Sequence, residues 1–201
     1  MVVEHVHNRI LDGELAKERG DLELVLDDLD HVKACSEHLV TTFSKADFIE
    51  KAILDSALIR YRRCFNTSVR AALVPNFSVE ESLLAEKHRY FRDLADKYVA
   101  HSVNSFENSG ATISVSFTES DEIHLGRSIG ISKSIVTMIS LNDLHALIFL
   151  AEHWRKNAKT RIDELDRALL HQMKYMGVEG ILSLQRHLPE ISDATKNRKY
   201  K

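Results

Sequence analysis

Three residues spaced four apart, Asp93, Lys97 and His101, are the strongest candidates for chemistry in this chain. On an α-helix, side chains at that spacing are stacked neighbours, so the three form an acid–base–imidazole stripe along one face. An imidazole can give or take a proton near neutral pH. A neighbouring cation can stabilise the charge that develops on a phosphorus centre under attack. Together these are the parts that a metal-independent ribonuclease needs. The plainer alternative is a solvated ion pair followed by a histidine near a helix C-terminus, where the helix dipole favours a cation.

Two basic clusters with interleaved aromatics point toward RNA as a ligand. Arg60, Arg62, Arg63 and Arg70 surround Tyr61 and Phe65, while Lys87, His88, Arg89 and Arg92 surround Tyr90 and Phe91. Cations hold phosphates and rings stack on bases. Arg60, Arg63, Lys87, Arg89 and Tyr90 are the candidate RNA contacts. The alternative for each cluster is aromatic residues in the core with arginines paired to the abundant Asp and Glu. A formal net charge of −3 gives no global nucleic-acid signature, so any such binding depends on a local patch.

Other chemistries lack their motifs. No GxGxxG or GxxxxGK[ST] string occurs, which argues against common nucleotide-dependent transferases. The eleven histidines contain no HExxH, and the helical pairs His31/His38 and His145/His153 are two turns apart. Zinc needs three or four converging ligands, so no metal or other cofactor is expected. Cys35 and Cys64 lie in helical patterns outside any CxxC pair and are expected to be reduced thiols. The first twenty residues have no apolar core flanked by positive charge, unlike a secretory leader. The most apolar stretch, 135–151, is broken by Asn142, Asp143 and His145. The expected location is cytoplasmic.

The elements that must position these residues are mainly helical. Residues 1–20 read as an N-terminal extension, with a short fraying helix around Ile10–Lys17. Asp21 is placed to cap a helix running to Phe43, whose stripe is Leu22, Val25, Leu29, Val32, Ser36, Leu39 and Phe43. A second helix is expected from Lys45 to Leu73, capped by Ser44 with Asp47, and stopped by Pro75–Asn76. Ser78 with Glu81 opens a third, which should end near Ser102 before a break at Asn108–Ser109–Gly110. ATISVSF then alternates as a strand does. After a turn at Glu119–Glu122, EIHLGRSIGI and SIVTMI are weaker strand candidates, so a hairpin or three-strand insertion is expected at about 111–139. Ser140 or Asn142 begins a last long helix reaching about Met173, roughly 50 Å long. Gly177 and Gly180 bracket a break before a short final helix, Ile181–Leu188. The tail 192–201 is polar and basic and is expected to be disordered. The fold class is thus mainly α, an up-and-down helical bundle, with a single domain at 21–191.

The string Ala95-Asp96-Lys97-Tyr98-Val99-Ala100-His101-Ser102 resembles the signature of HEPN-like helical proteins, notably those of the abortive-infection type. That motif is an arginine, usually followed by a polar residue, then a histidine four to six residues later. Asp96 matches the polar position, Lys97 the base after it and His101 the histidine, and Phe106-Glu107 is similar to the segment that follows. The arginine position, six residues before His101, holds Ala95, and Arg92 is the nearest arginine. The resemblance implies a homodimeric RNA-binding protein of toxin or phage-defence type, with an antitoxin or other protein as a further partner. It also implies metal-independent endoribonuclease activity. His101 would handle the ribose 2′-hydroxyl proton, Arg92 or Lys97 would hold the phosphate, and Asp96 or Asp93 would orient. The alternative is a non-catalytic dimerisation or partner-binding module of the same fold, which Ala95 favours. The near-heptad stripe Leu144, Ile148, Ala151, Ala158, Ile162, Leu165 and Leu169 reads first as core packing; it is longer than one small bundle needs to bury, and with the pairing that the resemblance implies it is also the candidate dimer seam.

Overall fold

The computed structural model describes residues 9–43, 48–66, 70–99, 108–117, 123–134 and 139–184. Four helices carry the fold: α1 (Glu14–Thr41), α2 (Phe48–Arg63), α3 (Ser82–Leu94) and α4 (Leu141–Ser183). The chain is mainly α, as its periodicity predicts. The strands are β1 (Asn108–Phe117) and β2 (Ile123–Ser134), an antiparallel pair running from Asn108 opposite Ser134 to Phe117 opposite Ile123. The expected loop at Asn108–Gly110 is therefore the start of a strand. The expected turn 119–122 and most of the third strand candidate lie outside the described residues, as do Ser44, Asp47 and the tail.

Cross-helix ion pairs fix the directions. On α1 and α4, Arg19 meets Asp166, Arg161 meets Glu18, Arg155 meets Asp30 and Lys33 meets Glu152. Numbers rise on one helix as they fall on the other, so α1 and α4 are antiparallel. Between α1 and α2 the same holds, with Arg60 on Asp28 and Ser56 on His31. The buried face of α1 is Leu22, Val25, Leu29, Val32 and Leu39, at the spacing of one helical stripe. Val25, Leu29, Val32 and Leu39 pack with Leu54, Leu58, Tyr61, Phe91, Leu94, Leu144, Leu147, Leu150 and Trp154 in one apolar core, and Leu22 packs with Ile162 and Leu165 in a second.

Several boundaries differ from the sequence expectation, each for a physical reason. α1 starts at Glu14 and passes through Gly20. A mid-helix glycine costs about 1 kcal/mol, and the Glu18 and Arg19 bridges to α4 hold the turn on either side. Asp21 is consequently no cap: it is buried, and its carboxylate accepts a hydrogen bond at 2.9 Å from the Ala71 backbone N–H. α2 ends at Arg63, not Leu73. The following Asn66, Thr67, Ser68 and Val69 are poor helix formers. The chain instead comes back with the Leu73 N–H donating to the Cys64 carbonyl at 2.8 Å.

Other start and stop signals hold. The Glu81 carboxylate accepts from the Ser78 N–H at 2.9 Å, and Ser140 accepts from the Asp143 N–H at 3.1 Å to cap α4. Gly177 breaks α4 with φ 67° and ψ 177°, a conformation that requires glycine. The helix resumes at once and runs through Gly180, so the second glycine is not a break. α3 gives way to five residues of π-helix, Ala95–Val99, within the motif segment. No helix among the described residues is long and apolar enough to cross a membrane.

Because the inner face of α1 is the common wall of this core, Leu29→Ala should cost about 3 kcal/mol in urea unfolding. Leu24→Ala, on the outer face where Leu24 is 40% exposed, should stay within about 0.5 kcal/mol. Equal costs at the two positions would contradict this assignment of faces.

Candidate functional site

The segment from Arg92 to Val99 starts in α3 and ends in the π-turn, which shifts the register by one residue and splits its side chains between two environments. Ala95 turns inward and is 1% exposed, part of the apolar core with Leu94 and Tyr61. An arginine at this position would have to bury its charge there. Arg92, three residues earlier on the same side, is half-buried, and its Nε has no hydrogen-bond partner among the described residues. Its charge acts on His88 and Tyr61, which face it from the core.

The other members of the motif are engaged locally. Lys97 and Asp93 pair at 3.0 Å on the exposed side, an i,i+4 bridge that contributes at most about 0.5 kcal/mol. Asp96 pairs with Arg62 of α2, joining the π-turn to the end of that helix. His101 lies outside the described residues, so its stacking on Lys97 does too.

The candidate RNA contacts are spread over three surfaces. Lys87 bridges to Asp143 of α4 at 2.7 Å and lies over the Tyr90 ring. Tyr90 itself packs against the core, edge-on to Phe91 at 5.2 Å. Arg89 is exposed. Arg60 and Arg63 turn toward Asp28 of α1. The two basic clusters are thus engaged with different helices, and the arginines of α2 divide between α1 and the π-turn.

Two polar clusters were not singled out from the sequence. In the first, His88 is 3% exposed and its Nδ1 is hydrogen-bonded to the Tyr61 hydroxyl at 2.8 Å. Phe65, Phe77 and Trp154 ring it at centroid distances of 4.5, 5.5 and 5.8 Å. Burial, aided by the Arg92 charge, pushes the His88 pKa down to about 4. Burial likewise raises the Tyr61 pKa. Both groups are neutral at pH 7. Neighbouring Phe91 was legible as core, and His88 lies three residues before it, which is the signal that could have been used.

The second cluster is on the α1–α2 face. Asp28, 2% exposed, is met by Arg60, Arg63 and Arg70. One turn on, His31 Nε2 is 2.9 Å from Ser56 Oγ and 3.3 Å from Cys35 Sγ. Burial and the Arg60 charge lower the His31 pKa, and burial raises that of Cys35. Cys64, fully buried, has its thiol pushed up to about 12 by burial. Both cysteines are free thiols. Asp28 falls seven residues after Asp21 on the apolar stripe of α1, where a carboxylate must find cations on a neighbouring element. Among the described residues, no three His, Cys, Asp or Glu side chains converge as metal ligands do.

Comparison of the chain with protein-family models, with curated proteins and with solved structures found no match.

The His88 environment makes a signed prediction. An unfolded histidine titrates near 6.5 and this one near 4 in the fold, so between those values the unfolded chain binds more protons. The stability is fully present above pH 6.5 and falls as the pH drops toward 4, by roughly 3 kcal/mol in all. His88→Gln should flatten the slope of unfolding free energy between pH 6.5 and 5. An unchanged slope in that variant would show that another group titrates there.

Proposed function

We propose that this chain is a HEPN-like helical scaffold that works by holding a partner, a second copy of itself, and does not cleave RNA. The observation that carries the absence of cleavage is the inward packing of Ala95. The position that the motif gives to its phosphate-binding arginine belongs to the apolar core. The substitute cation, Arg92, is half-buried, while Asp96 and Lys97 are occupied by Arg62 and Asp93. Such a segment ties α2 to α3.

The pairing surface is a different one from the expected seam. Leu144, Ala151, Ala158, Ile162, Leu165 and Leu169 are buried within the subunit's own core, against α1 and its neighbours. What α4 leaves uncovered is its far end. The Arg19–Asp166 bridge brings the start of α1 level with that part of α4, which runs on to Ser183. Leu170, Tyr175, Val178 and Leu182 are exposed there, Tyr175 at 80% and Val178 at 73%. Beside them is a groove of about 300 Å³ lined by Leu11, Leu169, Leu170 and Met173 together with the Arg19–Asp166 pair. An apolar surface of this kind marks an interaction site. A two-fold pairing of α4 ends would bury each against its equivalent, as closed dimers do.

Light scattering at tens of micromolar, where pairs with a binding free energy near −7 kcal/mol assemble, should give about twice the 22.9 kDa chain mass. The double substitution Leu170→Glu and Val178→Glu should return the monomer with an unchanged circular dichroism spectrum. A monomeric wild type would contradict the proposal, and a variant that still dimerises would contradict this choice of surface.

A further inference from the structure

The α1–α2 face has more positive charge than its own carboxylate can use. Arg60 Nη1 is 3.1 Å from Asp28 Oδ1, and Arg70 takes the other oxygen in a short contact, its side chain only 12% exposed. These two hydrogen bonds satisfy the buried acid. Arg63 stands 3.6 Å away, beyond hydrogen-bonding distance, with its side chain 52% exposed. One negative charge thus faces three positive ones, a local excess of two. Each guanidinium has five N–H donors in a rigid fork, and only a few of the fifteen are matched here.

The surplus donors have polar company. Ser56, Arg60 and Arg63 follow at four and three residues on α2, so they form one row along that helix. Asp28, His31 and Cys35 form the facing row on α1 at three and four. The antiparallel pairing sets Asp28 against the arginines and His31 against Ser56, with Arg60 close enough to influence both His31 and Cys35. The outer side of this double row therefore presents two half-exposed guanidiniums, a hydroxyl and an imidazole, while Asp28, the only carboxylate paired with these arginines among the described residues, is turned inward. Planar forks one turn apart beside a hydroxyl suit a tetrahedral oxyanion with several acceptor oxygens, and the excess charge suits a phosphate.

We infer that the α1–α2 face is a phosphate-binding site, in which Arg60 and Arg63 hold the oxyanion, the Ser56 hydroxyl donates to it while accepting from His31 Nε2–H, and Asp28 with Arg70 holds the guanidiniums in place. The site is independent of the pairing surface on α4. Its ligand is either a small phosphate or the backbone of RNA, and both present the same chemistry to these residues.

Two arms of one experiment on the full chain separate the sources. In the first, melting temperatures are compared in sodium phosphate and in sodium chloride of matched ionic strength. In the second, fluorescence anisotropy follows a labelled single-stranded oligoribonucleotide. A site for small phosphates gives a higher melting temperature in phosphate and no oligonucleotide binding; a site for RNA gives oligonucleotide binding. In whichever arm responds, Arg63→Gln should weaken binding about tenfold, the loss of one charge-assisted hydrogen bond. Arg63 is chosen because its exposure and distance from Asp28 spare the fold, and Ser56→Ala serves as a second variant expected to weaken binding in the same arm. No response in either arm would overturn the inference. So would a response that both variants leave unchanged.

Discussion

The antiparallel packing of α1 on α4 is the constraint on which the other contacts depend. Leu29, Val32 and Leu39 from one side and Leu144, Leu147, Leu150 and Trp154 from the other are essentially removed from solvent. Burial of aliphatic side chains of this size contributes about 1.5–3 kcal/mol each before conformational entropy is counted. The rim ion pairs, from Lys33–Glu152 to Arg19–Asp166, add little energy, but they match along the whole seam and set its register. α2 then packs on α1, and α3 closes over Tyr61 and Trp154 through His88 and Phe91.

Polar groups inside this frame decide how the shorter pieces attach. Asp21 holds the Ala71 N–H, and Asp28 holds Arg60 and Arg70, so the chain leaving α2 is drawn back across α1. Removing one partner of a buried ion pair leaves an uncompensated charge and is far costlier than losing a surface bridge. His88 does the corresponding job for α3 through Tyr61. Arg62–Asp96 fastens the π-turn to α2. The described part of the segment with the most suggestive motif thereby includes a junction between helices, made by Asp96 on Arg62.

Much of the fold could be read from the sequence because it rests on local rules. The stripe of α1, the capping serines at 78 and 140, the alternating segment and the stop at Gly177 are all short-range signals. What was not legible depends on partners distant in sequence. Asp21 and Gly20 look like a helix start until Arg161 and Asp166 are brought alongside. The heptad stripe of α4 can be read as core or as a dimer seam, because the sequence does not say that α1 will cover it. The candidate site was legible as residue types, not as arrangement. Asp93 and Lys97 do pair one turn apart. No spacing rule reveals that Ala95 is core, that a histidine three residues before Phe91 is buried against Tyr61, or that Ser56 comes to His31 across twenty-five positions.

The central claim is that the segment Arg92–Val99 joins helices and that the motif does not cleave RNA. The most direct measurement is an endoribonuclease assay on structured and single-stranded RNA in EDTA, comparing the wild-type chain with His101→Ala. The account predicts no cleavage above the buffer control in either protein. Metal-independent cleavage by the wild type that disappears in a folded His101→Ala variant would contradict it.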